Sequence, residues 1–250
     1  GGGNELAGMR FVAFTPDGKQ LVTSEQGGVS RLWDVGEERL RSDSIGHEKI
    51  GYELFGAAVS PNGALLATAS TDGNVRLWDI ATASLVRVLD QHESVENVAF
   101  SPDGRLLAVA SNPLGVRLFE THGWELRKQL VPPHWAVEAI AFSPDGRLLA
   151  TSSKSGAVRL WDIETGLQCG LAFQHTQFAP CVAFSPDGRW LASGSFDGTA
   201  RIWRLPEFTA RLNPSEMRQR TWRTLGLHRT PEGRDESLRW GEWQRLRDSL

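Results

Sequence analysis

The stretch that decides the fold runs from Ala141 to Asp162 and reads AFSPDGRLLATSSKSGAVRLWD. Near copies of it recur at intervals of 41 to 45 residues, measured between the aromatic residues that close each copy. A repeat of this length is one supersecondary unit that cannot bury its apolar face alone, so each copy must stack on its neighbours. The five closing aromatics are Trp33, Trp78, Phe119, Trp161 and Trp203.

Residues 95–131 show how one copy is expected to fold. The Ser-Pro-Asp-Gly sequence at 101–104 favours a type I turn, because Pro fixes φ at the second position and Gly fits the fourth. The apolar run after this turn is typical of a strand that is covered on both faces. The pattern therefore predicts four short antiparallel strands, at Val95–Phe100, Leu106–Ala110, Gly115–Phe119 and Trp124–Val131.

The Ser-Pro-Asp-Gly turn followed by a Trp-Asp close resembles the WD-repeat family of β-propellers, and the likeness covers residues 9 to 212. It implies an all-β propeller of four-stranded antiparallel blades. It also implies that this is the C-terminal WD-repeat region of a larger bacterial multidomain protein. The expected organisation is an N-terminal remnant at 1–8, blades at 9–46, 47–91, 92–133, 134–174 and 175–212, and an amphipathic helical tail at 213–250.

The resemblance also implies a hydrogen-bonded polar set in each blade, made of a His, a Ser or Thr, an Asp and the closing Trp. Two blades have all four members and two have partial sets, while blade 3 keeps only His92. The complete sets are His47, Thr68, Asp72 and Trp78, and His175, Ser193, Asp197 and Trp203; the partial sets are Thr23 and Trp33, and His134, Thr151 and Trp161. In blade 4, Ser155 stands where Asp is expected.

A His, a Ser and an Asp close together could also form a hydrolytic triad. The structural interpretation is favoured, because these groups can satisfy one another in a buried chain of hydrogen bonds. The Asp accepts from the imidazole, the imidazole accepts from the hydroxyl, and the hydroxyl accepts from the indole N–H. Repetition of the set in several blades also favours structure, since an enzyme needs one such site. We therefore expect no catalytic residue here.

The residues that flank the apolar position of each first strand, together with the residue before the turn Asp, should face the narrower surface, here called the top face. Exposed aromatic side chains beside carboxylates are typical of protein interaction sites, and the carboxylates would suit a basic peptide or protein partner. The candidate partner-binding residues are Arg10, Glu53, Phe55, Glu96, Trp135, Glu138, Phe178 and Phe196. The alternative for Phe178 and Phe196 is that they only pack on each other.

Ring closure is not evident from the sequence. Phe208–Leu212 is expected to supply the fourth strand of blade 5, whereas Asn4–Ala7 is too short for a closing strand. An open arc of blades is therefore expected, and its terminal blades offer a surface for self-association. A closed ring of five blades is the alternative. The tail begins with the helix-start signal Asn213-Pro214-Ser215-Glu216 and is rich in Arg and Trp. It either folds back on the propeller or serves as a docking or nucleic-acid-binding arm.

Composition limits the remaining function classes. The net charge is −3, so no global basic field attracts nucleic acid, and no apolar run approaches the length of a membrane-spanning helix. No metal-ligand cluster, phosphate loop or calcium loop is recognisable, so we expect no metal and no cofactor. Cys169 and Cys181 are too few for a disulfide scaffold; buried free thiols and a cytoplasmic location are expected.

These observations predict a protein–protein interaction scaffold, in the form of a sensor or docking arm of a bacterial signalling protein. Propeller folds host many unrelated activities, so this prediction rests on the family resemblance. Two alternatives stay open. One is an enzyme with its active site at the propeller channel, and the other is a nucleic-acid-binding accessory that acts through the Arg-rich tail.

Overall fold

The residues that the structure describes form five antiparallel sheets, here called blades 1 to 5. A computed structural model describes residues 8–25, 27–46, 53–130, 136–170 and 172–205, with no helix among them. Blade 1 contains β1 (Met9–Phe14), β2 (Gln20–Glu25), β3 (Val29–Asp34) and β4 (Arg39–Gly46). Blade 2 contains β5 (Leu54–Val59), β6 (Leu65–Ser70), β7 (Asn74–Asp79) and β8 (Ser84–Asp90).

The other three blades follow the same order of strands. Blade 3 contains β9 (Val95–Phe100), β10 (Leu106–Ser111), β11 (Gly115–Glu120) and β12 (Leu126–Leu130). Blade 4 contains β13 (Val137–Phe142), β14 (Leu148–Ser153), β15 (Ala157–Asp162) and β16 (Phe173–Gln174), and blade 5 contains β17 (Cys181–Phe184), β18 (Trp190–Gly194) and β19 (Ala200–Arg204). The prediction of all-β, four-stranded antiparallel blades is confirmed for blades 1 to 4. The fourth strand predicted for blade 5 at Phe208–Leu212, and the helical tail, lie outside the described residues.

The first hairpin of each blade is fixed by its own turn. In blade 3, the Ser101 hydroxyl donates to Asp103 at 2.6 Å, and the Leu106 amide donates back to the Ser101 oxygen at 2.9 Å. Gly104 has φ of +71°, a conformation that glycine adopts without strain. The Ser101 hydroxyl is also the main reason that the pKa of Asp103 lies below its usual range. Because each turn satisfies its own polar groups, it positions the second strand independently of the other blades.

The core lies between successive blades. The second strands of blades 2, 3 and 4 are buried on both faces, and every residue of β10 and of β14 is buried. Trp161 and Leu149 of blade 4 belong to one apolar cluster with Leu118 of blade 3, and equivalent clusters join blade 2 to blade 3 and blade 4 to blade 5. The closing aromatic of a blade thus packs on the blade before it.

Among the described residues, the row of blades does not close into a ring. Val12 on the first strand of blade 1 is 65% exposed, whereas Val98 and Ile140, at the equivalent positions of blades 3 and 4, are buried. At the other end, Ile202 of blade 5 is exposed, whereas the equivalent Leu160 is buried. Blades 1 and 5 therefore each present one uncovered apolar face.

Candidate interaction surface

The polar set of blade 5 forms a continuous chain of hydrogen bonds. The Trp203 indole N–H donates to Ser193 Oγ at 3.1 Å, and Ser193 Oγ lies 2.8 Å from His175 Nε2. His175 Nδ1 lies 3.2 Å from Asp197 Oδ2. The three distances fit a neutral imidazole that accepts from the hydroxyl and donates to the carboxylate. This chain fixes the third strand of the blade to the loop that precedes the first strand.

The charges of this set follow from its surroundings. Burial would raise the pKa of Asp197, but hydrogen bonds from Thr199, Thr176 and His175 outweigh that effect and hold the pKa well below its usual range. Burial lowers the pKa of His175, and the Asp197 carboxylate only partly compensates. His175 is 1% exposed. An ionised Asp197 beside a neutral His175 is therefore the state that the native blade favours near neutral pH.

The indole–hydroxyl bond also forms in three other blades. Trp33 donates to Thr23 at 2.9 Å, and the bonds from Trp78 to Thr68 and from Trp161 to Thr151 are both 3.0 Å long. In blade 2, the buried Asp72 carboxylate accepts from Arg76 at 2.7 Å. His47 and His134, the predicted imidazole members of blades 2 and 4, lie outside the described residues.

In blade 3, Gln91 and not His92 occupies the position of the histidine in the polar set. The backbone amide of His175 donates to the Gly156 carbonyl. The equivalent hydrogen bond, to the Gly73 carbonyl, is donated by the amide of Gln91 and not by that of His92. Gln91 is buried, whereas the side chain of His92 is exposed and lies beside Asp90. An apolar Val109 and Phe119 replace the hydroxyl and the indole, so an imidazole there would have no partner for its ring nitrogens.

The predicted top-face residues form separate groups at one edge of the blades. Backbone bonds join Thr71 to Glu53 at 3.0 Å and Phe196 to Phe178 at 2.9 Å. Arg10 of blade 1 reaches across to blade 2, where it lies 3.9 Å from the Glu53 carboxylate and 5.5 Å from the centre of the Phe55 ring. Trp135 lies outside the described residues. The structure thus brings Arg10, Glu53 and Phe55 together, and separately Phe178 and Phe196.

Phe178 and Phe196 both pack on each other and reach solvent. Their ring centres lie 4.9 Å apart in an edge-to-face arrangement, which aromatic pairs favour. Phe178 is half-buried and supports Phe196, which is 67% exposed. Both interpretations of the sequence are therefore compatible: the two rings pack on each other, and the Phe196 ring is also exposed. Phe178 and Phe196 are here called the aromatic ridge.

The predicted acidic rim needs correction. Glu96 is only 9% exposed and accepts from the Ser94 hydroxyl at 3.0 Å, so it is not a rim residue. The Glu138 carboxylate lies 3.2 Å from Lys154 Nζ and is also largely covered. Burial raises the pKa of Glu138, and the nearby charge of Glu96 adds to this shift. The two carboxylates are therefore recessed and do not form an exposed rim.

Comparison with known proteins agrees with this geometry. The family described as WD domain, G-beta repeat, matches residues 42–79, 83–119, 125–162 and 168–204, which is more than half of the chain. The chain belongs to the WD-repeat family. A search of curated proteins gives no significant match. Each family match begins in or just before the fourth strand of one blade and ends at or near the closing aromatic of the following blade. The first three strands of blade 1 therefore lie outside the matches.

One recurrent residue of these WD repeats has a role that the sequence analysis did not assign. An arginine stands two positions before each closing aromatic and directly opposite the Ser, Thr or Val of the second strand. Arg76 binds Asp72, and Arg117 donates to Gln91 at 3.0 Å. The sequence indicates this role, because an arginine that recurs at the same position of a half-buried strand requires a partner for its charge.

The blade 5 set is suited to structure rather than to nucleophilic catalysis. Ser193 is buried, and its oxygen already accepts from Trp203 while it adjoins His175. A nucleophile must present its oxygen to a substrate, and this oxygen is enclosed by its own blade. WD repeats generally mediate protein–protein interactions. The geometry of this blade fits a rigid support for such interactions.

Other chemical groups add little within the described ranges. They contain no group of three or more His, Cys, Asp or Glu side chains arranged to hold a metal ion, and no helix long and apolar enough to cross a membrane. Cys169 is buried, and burial raises the pKa of its thiol to about 12. Cys181 is exposed, which corrects the expectation that both thiols are buried.

Proposed function

We propose that this chain is a protein-binding scaffold whose top face binds a segment that carries Lys or Arg. The observation that carries the proposal is the ridge of Phe178 and Phe196, in which an aromatic ring is 67% exposed at the edge of a rigid blade. Aromatic rings of this kind supply much of the binding energy at protein interfaces, because they bury a large area at little entropic cost.

The blade beneath the ridge supports it rigidly. Phe196 belongs to the turn that Asp197 closes, and Asp197 accepts from the backbone amides of Thr176 and Thr199 at 3.1 and 3.0 Å. Phe178 follows in the same loop as Thr176. Because both rings are attached to one hydrogen-bonded loop pair, they are held in place before a partner arrives, which lowers the entropic cost of binding.

The recessed carboxylates supply the preference for a basic partner. Glu96 and Glu138 lie close enough for one charge to affect the other, and Lys154 is the cation beside them. Among the described residues Glu96 forms no ion pair, because Lys154 pairs with Glu138. A Lys or Arg side chain from a partner would neutralise the second carboxylate, and the charge would also accelerate association.

The wider setting is part of the same proposal. We place this scaffold in the bacterial cytoplasm, as the docking arm of a larger signalling protein. The basis is the resemblance of the repeats together with the two free cysteines. Self-association through the uncovered faces of blades 1 and 5 would be a second use of the same propeller segment.

Binding of Lys/Arg-containing peptides to the whole chain tests the proposal. Peptides from a library of such sequences are measured by fluorescence polarisation against peptides in which Lys and Arg are replaced by Gln. For the peptide that binds best, Phe196→Ala should weaken affinity about 10- to 30-fold, the effect of losing an interface hot spot. Phe14→Ala is the matched control, since Phe14 is similarly exposed but lies on the uncovered face of blade 1.

Two results would overturn the proposal. One is equal weakening by Phe14→Ala and Phe196→Ala, which would indicate nonspecific apolar binding. The other is loss of binding on deletion of 213–250 while Phe196→Ala has no effect. In that case the tail is the interaction site, and the top face is not.

A further inference from the structure

The recurrent arginine of the third strand is paired in four of the blades but not in blade 4. Its partners elsewhere are a carboxylate, a side-chain carbonyl or a backbone carbonyl: Glu25 for Arg31, Asp72 for Arg76, Gln91 for Arg117 and the Gln174 carbonyl for Arg201. Within the described ranges, the side chain of Arg159 forms no hydrogen bond and no ion pair, although it is only 9% exposed.

Blade 4 has the geometry of blade 2 but lacks its acid. Arg159 stands opposite Thr151 as Arg76 stands opposite Thr68. The preceding turns also match, because the Gly156 amide donates to the Ser153 carbonyl as the Gly73 amide donates to the Ser70 carbonyl, and both glycines have positive φ. Ser155 therefore occupies the position that Asp72 occupies in blade 2, four residues before the arginine.

An anion beside Ser155 would meet favourable groups. In blade 2 the same spacing brings the Asp72 carboxylate to 2.7 Å from the guanidinium of Arg76. Ser155 is half-buried, and its hydroxyl lies 3.0 Å from the Ser153 hydroxyl, which itself donates to the Ala157 carbonyl. The adjacent Lys154 has a largely exposed side chain at its outer side. Arg159 is largely covered, and this burial lowers its pKa, so an anion beside the guanidinium would favour its charged form.

We propose that the turn at Ser155 binds a small free oxyanion of the phosphate class, which pairs with Arg159 as the Asp72 carboxylate pairs with Arg76. The ligand takes the place of the carboxylate that blade 4 lacks. Planar, multidentate donors such as guanidinium favour oxyanions of this kind, and the Ser155 hydroxyl supplies one further donor. The bound anion would stabilise the native blade, because it binds the folded turn and not the unfolded chain.

Thermal unfolding of the whole chain in phosphate and in chloride tests the site. At pH 7 and constant ionic strength, millimolar phosphate should raise the unfolding midpoint of the wild type along a saturable curve, whereas chloride should not. Ser155→Asp supplies the missing carboxylate. It should raise the midpoint in chloride by about 2–4 °C, the shift expected for roughly 1 kcal/mol in a chain of this size, and abolish the saturable response to phosphate.

Two controls separate the site from general effects of the salt. Ser155→Asn changes the side chain to a neutral one of the same size as Asp and should bring no rise in chloride. Lys154→Gln removes an exposed cation next to the site and should retain a saturable response, since Arg159 is the main partner. Phosphate also stabilises proteins by exclusion from their surface, but that effect does not saturate and is shared by every variant.

The proposal is wrong if the wild-type midpoint shows no saturable dependence on phosphate, a result that depends on no substituted chain. It is also wrong if the saturable response persists in Ser155→Asp, or if Ser155→Asp unfolds at or below the midpoint of Ser155→Asn.

Discussion

Replacing Asp197 by Ala tests whether the polar set of blade 5 holds the blade together. The change removes the acceptor of His175 Nδ1, of the Thr176 amide, and of the Thr199 amide and hydroxyl. His175 is 1% exposed, so water cannot replace the lost partner, and one stranded buried donor costs about 1–3 kcal/mol. Thr176 is exposed, so its amide can bind water, and its loss costs less.

The expected loss of stability is about 2–4 kcal/mol, of which the stranded imidazole is the largest part. For a domain of this size, that loss corresponds to a fall in the thermal midpoint of roughly 5–12 °C. Circular dichroism during heating and urea unfolding at pH 7 would measure it. The urea midpoint should fall with little change in slope, because the surface exposed on unfolding is similar.

Ser155→Ala is the matched control, because Ser155 occupies the equivalent turn position in blade 4. Its hydroxyl contacts the Ser153 hydroxyl but no imidazole among the described residues, so the change should cost less than about 1 kcal/mol. Equal unfolding midpoints for Asp197→Ala and Ser155→Ala would refute the view that the complete set is a structural device.

Two further predictions concern the same sets. The pKa of His175 is lower in the folded than in the unfolded chain, so the unfolded chain binds more protons and stability should fall as pH drops below about 6.5. Thermal midpoints measured from pH 8 to pH 5 should show this decline, and the decline should be smaller in His175→Gln. Trp78→Ala should lower the free energy of unfolding by about 3–5 kcal/mol, since Trp78 fills the core between blades 1 and 2. Urea unfolding would measure this loss, and a loss below about 1 kcal/mol would contradict that role.

The sequence was sufficient for the features that each repeat specifies locally. The turn at Ser101–Gly104 and the apolar run after it predict the first hairpin because Pro, Asp and Gly each have one favoured position in that turn. Strand boundaries were less certain where a turn residue has an unusual conformation. Trp124 was expected in the fourth strand, but it has φ of +62° and the strand begins at Leu126.

Features that depend on packing between blades could not be read from one repeat. Glu96 resembles an exposed acid in the sequence, and it is buried because the first strands of blades 2 and 3 approach so closely that a Cβ at Gly56 would lie 2.9 Å from the Asn97 Cα. His92 matched the expected residue type, yet the loop places Gln91 at the buried position. A shift of one residue exchanges the buried and exposed side chains, and residue type alone does not fix that register.

We propose above that the top face of this WD-repeat chain binds a basic protein segment. Hydrogen–deuterium exchange of the whole chain, with and without the tightest-binding Lys/Arg peptide at saturation, tests it most directly. Binding at the top face should slow exchange at the amides of residues 176–179 and 195–199, which surround the ridge of Phe178 and Phe196. Slower exchange confined to 213–250, or to the turns at Ser101–Gly104 and Ser143–Gly146 on the opposite edge of the blades, would contradict it.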